Sequence, residues 1–151
     1  MSGLITDEIR SSIGASESFG PIEVTRREIV KYAVATEQRL DRIKRGDEAP
    51  PMFLFGVLRP ILEASQLGED GLAGDPLLPE LPLQRVMAGG TKMRYHRAVR
   101  PGDVLVATRT LVELYEKAGR SGPLIFVVYE LRIATQSGEL IAEETQTRIA
   151  R

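Results

Sequence analysis

Residues 89–105 read GGTKMRYHRAVRPGDVL, and the alternation within this stretch decides the fold class that we expect. Every second side chain from Thr91 to Tyr95 falls on one face of an extended chain, while the basic side chains between them, ending at His96, fall on the other. Residues 101–103, Pro-Gly-Asp, are typical of a turn. The stretch therefore predicts a strand that turns directly into a second strand.

The chain after this turn keeps the character of strands. Val, Thr and Leu are frequent in it, and apolar and polar residues alternate over much of its length. Residues 116–123 (EKAGRSGP) and the Ser137-Gly138 pair predict the turns between strands. The strands predicted from these signals are 104–114, 124–133 and 140–149.

The amino-terminal half has the patterns of helices. Residues 4–12 favour a short leading helix, and a first strand is expected near 19–24. Thr25-Arg26-Arg27-Glu28 has the spacing of a capping box, and an amphipathic helix follows it. The charged run at 39–48, RLDRIKRGDE, is predicted to be a solvated loop.

A second helix is predicted to start after Pro50 and Pro51, because proline suits the first turn of a helix. Its residues 52–58, MFLFGVL, are apolar on nearly every side, so we expect this helix to be buried all round. Residues 68–82 read as a long connection. Helices followed by long antiparallel strands indicate an α+β hot-dog fold, a curved antiparallel sheet wrapped around a central buried helix. We expect one domain over 1–151.

Composition narrows the function classes. A net charge of −1 gives no basic excess for nucleic acid or anionic membranes, and with no cysteine and one histidine a zinc centre is disfavoured. The usual dinucleotide, P-loop and hydrolase-elbow motifs do not occur. The polar amino terminus and the lack of an 18-residue apolar run predict a soluble cytoplasmic protein.

Four stretches together resemble the MaoC-like acyl-thioester dehydratases and hydratases, in the form of their amino-terminal or non-catalytic half. The resemblance covers most of the chain and rests on the order and spacing of these stretches. They are FGPIEVTRREIVKYAVA (19–35), APPMF (49–53), GGTKMRYHRAVRPGD (89–103) and the strand after SGELIA (137–142).

The resemblance implies two hot-dog units side by side, which hydrate enoyl thioesters or dehydrate 3-hydroxyacyl thioesters of coenzyme A or acyl carrier protein. No other cofactor and no metal are implied. The catalytic half of such a pair carries an Asp and, five positions later, a His that activate water. Here the position five before His96 is Thr91. The Asp residues of the three Gly-Asp pairs are followed at that spacing by Met52, Glu80 and Thr108.

This departure predicts an accessory subunit of a heteromeric hydratase, a dimer or tetramer in which a second MaoC-like chain supplies the Asp and His. The isolated chain is then expected to be inactive. Two alternatives stay open. One is a self-sufficient hot-dog hydratase or thioesterase that uses an acid such as Glu63 or Asp75, with His96. The other is a non-enzymatic module that binds acyl-coenzyme A.

Candidate site residues follow from both the pattern and the resemblance. His96 lies among basic neighbours, which favours a surface or interface role over that of a general base. Glycines 89 and 90 permit close approach to a ligand, although a β-bulge is the favoured interpretation. Apolar residues near 53 can line an acyl site or simply form core, and the arginines can bind phosphate or protect a strand edge. The substrate-binding candidates are Phe53, Phe55, Gly89, Gly90, Arg94 and Arg97, with Met52 and Arg100 beside them.

Overall fold

The computed structural model describes residues 3–151, in which five antiparallel strands form a sheet of order β1-β3-β4-β5-β2. This arrangement confirms the hot-dog fold expected from the sequence. The elements are α1 Asp7–Arg10, β1 Ser16–Glu23, α2 Arg26–Ala35, α3 Asp41–Lys44, α4 Phe53–Val57, a 3₁₀ turn Ala64–Gln66, β2 Val86–Tyr95, β3 Val104–Gly119, β4 Gly122–Thr135 and β5 Leu140–Ala150.

One face of the sheet, here called the helix face, packs against two apolar clusters. Cluster 1 joins the ends of β3, β4 and β5 to α2 and α4, through residues such as Leu105, Ile133 and Phe53. Cluster 2 lies at the other end of the sheet, where Leu77 and Ile5 pack over β3 and β4. The opposite side of the sheet is called the solvent face.

The predicted capping box starts α2. The hydroxyl of Thr25 accepts from the backbone N–H of Glu28 at 3.2 Å, and the Glu28 carboxylate accepts from the Thr25 N–H at 2.9 Å. The buried side chains of this helix are Ile29 and Ala33, four residues apart, which turns one face toward cluster 1. The sequence prediction for this helix is confirmed.

The second predicted helix is shorter than expected and is not buried all round. α4 has five residues, of which Phe53 and Leu54 are buried, whereas Phe55 is 50% exposed and the preceding Met52 is 57% exposed. With about one and a half turns, α4 packs one side against cluster 1, and its other side faces outward. Apolar residues thus lie on both sides of α4. Within the described chain only the side with Phe53 and Leu54 is buried.

Two further expectations are corrected. The charged run at 39–48 contains α3, because Ile43 supplies a buried anchor among the polar residues. The loop predicted at 116–123 is mostly strand, since β3 and β4 pair as far as Gly119 and Gly122 and leave two residues for the turn. Tyr115 and Phe126 stack with ring centroids 4.8 Å apart and support this extension of the hairpin.

Glycine makes the predicted bulge possible in β2. The register with β5 shifts between Ala88 and Gly90, which confirms the β-bulge. A Cβ atom on Gly89 would lie 2.9 Å from Cγ1 of Ile149, so a side chain there would force β5 aside. After the bulge the alternation continues, and Thr91 and Met93 project to the helix face.

Candidate functional site

The helix face is uncovered beside β2, at the edge of the sheet. Among the described residues β2 pairs with β5 alone, and nearly all of its residues are exposed. Tyr95, on the helix face, is 41% exposed. We call this two-strand surface the edge strip. Its helix-face residues are Thr91, Met93 and Tyr95 on β2 with Glu144 and Gln146 on β5.

One row of paired residues carries charge across the helix face. Direct cross-strand pairs link Glu17 to Arg109, Arg109 to Leu131, Leu131 to Glu144 and Glu144 to Met93. Because directly opposite residues share a face, all five side chains project to the helix side. This charged row separates cluster 1 from cluster 2.

Asp75 lies over the inner half of the charged row, beside Arg109. Its side chain is 6% exposed and forms ion pairs with Arg109 and with Arg148, whose Nη1 lies 2.7 Å from Oδ2. Nε of Arg109 lies 2.8 Å from Oε1 of Glu17. These last two contacts have distances of ion pairs without hydrogen-bond angles, so the attraction is mainly Coulombic. The connection at 68–85 is thereby tied to the sheet.

Tyr129 lies beneath this network. Arg109 is 4.8 Å and Arg148 5.5 Å from its ring centroid, so both guanidinium groups lie over the ring. Burial, together with the negative charge of Asp75, holds the pKa of the Tyr129 phenol well above its usual range. The phenol therefore stays neutral, and its ring packs against the two guanidinium groups of the ion pairs.

Glu144, in the edge strip, is the outer carboxylate of the charged row. Glu144 is half-buried, and within residues 3–151 its side-chain carboxylate forms no hydrogen bond and no ion pair. Burial raises the pKa of its carboxyl, and the attraction of Arg109 and Arg59 only partly opposes that effect. Burial of Tyr95 and the charge of Glu144 likewise raise the pKa of the Tyr95 phenol.

The neighbouring Glu143 has the opposite environment. It lies on the solvent face between Arg94 and Arg132, its cross-strand partners. Its Oε2 is 2.9 Å from Nε2 of His96. This hydrogen bond, helped by the nearby arginines, lowers the pKa of Glu143. The imidazole of His96 is thus engaged by Glu143 on the solvent face, away from the edge strip.

Arg97 is used within the chain. Its Nη1 and Nη2 donate to both carboxylate oxygens of Asp103 at 2.8 and 3.0 Å, and Nε and Nη2 donate to Glu139 at 2.9 Å each. Nη1 also donates to the carbonyl of Ala98. All five N–H groups are engaged, which argues against the phosphate-binding role predicted for Arg97. Arg94 faces solvent, so phosphate binding there stays a prediction.

The two phenylalanines of α4 have different surroundings. Phe53 is a core residue of cluster 1 and meets Tyr32 edge-on, with centroids 5.6 Å apart. Phe55 is the exposed one, and the Arg59 guanidinium lies 4.0 Å from its ring centroid. The charge of Arg59 also acts on Glu144, which links α4 to the edge strip. Of the two predicted acyl-site residues, Phe55 is available for contact.

Sequence reasoning missed Glu144 and the Asp75 network. Glu143 and Glu144 are adjacent acids, so alternation alone does not separate the inward carboxylate from the outward one. Asp75 lies 34 residues before Arg109, in a segment without periodicity. A signal did exist for Arg109, since it interrupts the inward-facing apolar series of β3 formed by Leu105, Ala107 and Leu111.

Comparison with known proteins assigns the family. The family model described as "FAS1-like, dehydratase domain region" matches residues 11–144. The chain belongs to this family of MaoC-like hot-dog hydratases and dehydratases. It is 32% identical over 96 residues to a mesaconyl-C(4)-CoA hydratase of Chloroflexus aurantiacus, an alignment that covers 63% of this chain. The chain spans 34%, about a third, of that relative's length.

Solved structures support the same fold. The chain is similar to one in the ChsH1–ChsH2 complex of Mycobacterium tuberculosis, with a TM-score of 0.66 and 18% identity over 95% of this chain and 86% of that one. It is also similar to one in the HadBC (3R-hydroxyacyl-ACP dehydratase) complex of the same organism, with a TM-score of 0.61 and 17% identity over 91% and 96% of the two chains.

The structure adds two observations on the class of site. Across residues 3–151, no group of three or more potential ligands is placed to hold a metal ion. In the same part of the chain, no helix has both the length and the apolar character needed to cross a bilayer.

Proposed function

We propose that this chain is the acyl-site-forming subunit of a heteromeric enoyl-thioester hydratase, with the catalytic Asp and His on a second MaoC-like chain. The carrying observation is the position of the edge strip, an uncovered surface of the helix face that borders the outer edge of β2, which pairs with β5 alone among the described residues. A second hot-dog sheet seated along β2 would continue this sheet and roof the strip. The acyl group would then lie between the two chains.

The placement of His96 supports the division of labour. In hydration, the oxygen of water bonds to C3 of the enoyl thioester and a proton adds to C2, so a base must face the bound double bond. The imidazole of His96 contacts Glu143 on the solvent face, while the uncovered strip lies on the helix face. The proposal therefore places the base on the partner.

The outward side of α4 supports the same partner. Met52 and Phe55 are half exposed and flank Phe53 and Leu54 of cluster 1 in the sequence. Phe55 also contacts Arg59, whose charge acts on Glu144 in the edge strip. Large apolar side chains grouped in this way are typical of a surface that another protein or a ligand covers. Two of the similar solved structures are described as complexes of two named subunits, ChsH1–ChsH2 and HadBC.

A self-sufficient enzyme built on Glu63 or Asp75 with His96 has less support. Asp75 is paired with two arginines on the helix face, and His96 contacts Glu143 on the solvent face. Glu63 is exposed and caps its own 3₁₀ turn. The sheet lies between Asp75 and His96, so one water molecule does not contact both. A coenzyme A or acyl carrier protein thioester as substrate, and the cytoplasm as location, stay predictions, as does a module that only binds acyl thioesters.

The test is hydration of trans-2-enoyl-coenzyme A thioesters by three preparations. They are this chain alone, a MaoC-like chain carrying Asp and His alone, and the two co-expressed and purified as a complex. The proposal expects turnover by the complex to exceed that of either chain by at least about a hundredfold, the usual scale of one positioned acid or base. His96→Ala in the complex should change kcat by less than about twofold. Full activity of the isolated chain would overturn the proposal.

A further inference from the structure

Most of the helix face is already covered by the chain itself. Cluster 1 closes one end beneath α2 and α4, and at the other end Leu77 and Ile5 are buried against β3 and β4. Asp75 ties the connection at 68–85 down between them. An acyl group that enters beside β2 therefore has the edge strip available, and little beyond it.

The edge strip changes from apolar to polar within a short distance. Tyr95 pairs with Ala142 in the row nearest cluster 1, and Met93 pairs with Glu144 in the next row of the helix face. The two rows are two residues apart, which is about 7 Å along a strand. Thr91 and Gln146 follow in the third row.

We infer that Glu144 ends the apolar part of the acyl site, and that the complex prefers short enoyl thioesters. This inference rests on the proposed function above. A 7 Å apolar stretch accommodates roughly four to six carbons of an extended chain. A longer tail would have to lie on the half-buried carboxylate, which has no hydrogen-bond or ion-pair partner within residues 3–151, and would strip its remaining water. Beyond Glu144 the same row continues into the Glu17–Arg109 ion pair.

Removing the charge should therefore lengthen the accepted acyl chain. Each methylene that is buried on an apolar wall improves binding about fourfold, so two or three added methylenes correspond to tenfold or more. Glu144→Leu extends the apolar wall past Met93. Glu144→Gln removes the charge while keeping a polar group, so its effect has the same direction and is smaller.

The experiment measures kcat/KM of the reconstituted complex for four-, six-, eight- and ten-carbon trans-2-enoyl-coenzyme A thioesters. Wild type is expected to favour the four- or six-carbon thioester. Glu144→Leu should raise the ratio of the ten-carbon to the four-carbon value by at least about tenfold, chiefly through KM, because a remote methylene binds equally in the ground and transition states.

Glu143 supplies the matched control, since it is the same residue type one position away and faces solvent. Glu143→Leu and Glu143→Gln should leave the length profile within about twofold of wild type. A wild-type complex that turns over the ten-carbon thioester as well as the four-carbon one overturns the inference alone. Equal shifts for the variants at 143 and 144 do the same. No turnover of any thioester overturns the proposed function, and this inference with it.

Discussion

At the scale of single residues, position on the sheet decides what a carboxylate does. Glu143 and Glu144 are neighbours on β5, yet the first gains a histidine and two arginines on the solvent face, while the second loses water on the helix face. A strand alternates its side chains, so one step along the chain exchanges these environments. We therefore expect a functional role for Glu144, because burial disfavours its ionised form.

We predict that Glu144→Gln raises the free energy of unfolding of the isolated chain near pH 8. Burial raises the pKa of the Glu144 carboxyl above its ordinary value of 4.5, so ionising it destabilises the folded state. This penalty is absent well below pH 4.5, where the group is protonated in both states; it grows as pH rises from 4.5 to the folded pKa and stays constant above it. Thermal unfolding from pH 4 to 8 checks it. A variant that is less stable than wild type at pH 8 would contradict the prediction.

Arg97→Met is expected to destabilise the chain by about 2 kcal/mol at pH 7, because the hydrogen bonds to two carboxylates are lost. The Arg97 guanidinium is the main cause of the lowered pKa values of Asp103 and Glu139. Their contribution to stability is therefore present at neutral pH and is lost on acidification through their folded pKa values.

Urea unfolding at pH 7 and at pH 3 measures both parts of this effect of Arg97. Arg100→Met is the control, because Arg100 is exposed and binds Asp103 through its backbone N–H. Equal destabilisation by Arg97→Met and Arg100→Met would show that the fork of hydrogen bonds contributes little.

At the scale of elements, short helices depend on their ends. Thr25→Ala removes the side-chain acceptor of the capping box at α2 and should lower the free energy of unfolding by about 1 kcal/mol. Thr25→Ser keeps the hydroxyl and should remain close to wild type. Chemical denaturation of the two variants checks this prediction, and identical midpoints for both would contradict it.

The connection at 68–85 depends on one buried carboxylate. Asp75→Ala leaves Arg109 and Arg148 without that partner, and loss of one member of a buried network costs about 3–5 kcal/mol. We expect much faster cleavage by a protease within 68–85. Asp70→Ala is the control, since Asp70 is exposed and, among the described residues, accepts a hydrogen bond from the nearby Leu72 N–H alone. Unchanged cleavage in Asp75→Ala would show that the apolar contacts of Leu77 suffice.

At the scale of the whole molecule, β2 forms a long exposed edge of the sheet, where the proposed assembly with a second chain can be tested. Val86 and Met87 are both about 40% exposed at the start of β2. Lysine on a strand edge opposes pairing with another strand, so Val86→Lys with Met87→Lys should weaken the proposed complex with a second hot-dog chain. Size-exclusion chromatography of co-expressed chains measures this. Val34→Lys, on the exposed side of α2, is the control, and equal loss of complex would contradict a specific role of β2.

Much of the fold was predictable because its signals are local. The capping box at 25–28, the glycine bulge at 89–90 and the alternation of β2 each depend on neighbours in the chain, and the structure confirms all three. The one-sided burial of α4 was not predictable from its apolar residues. An apolar residue can be buried within the chain or exposed for another surface to cover, and the sequence alone does not distinguish the two.

The sequence by itself determined the strands, the cap and the family to which the chain belongs, since each depends on residues close together or on their order. The tertiary structure alone decided that Glu144 faces inward, that Asp75 joins Arg109 and Arg148, and that Arg97 has no N–H group left for a ligand. These facts depend on strand register and on contacts between distant segments. Charge acts through space, so its consequences appear only when the register is known.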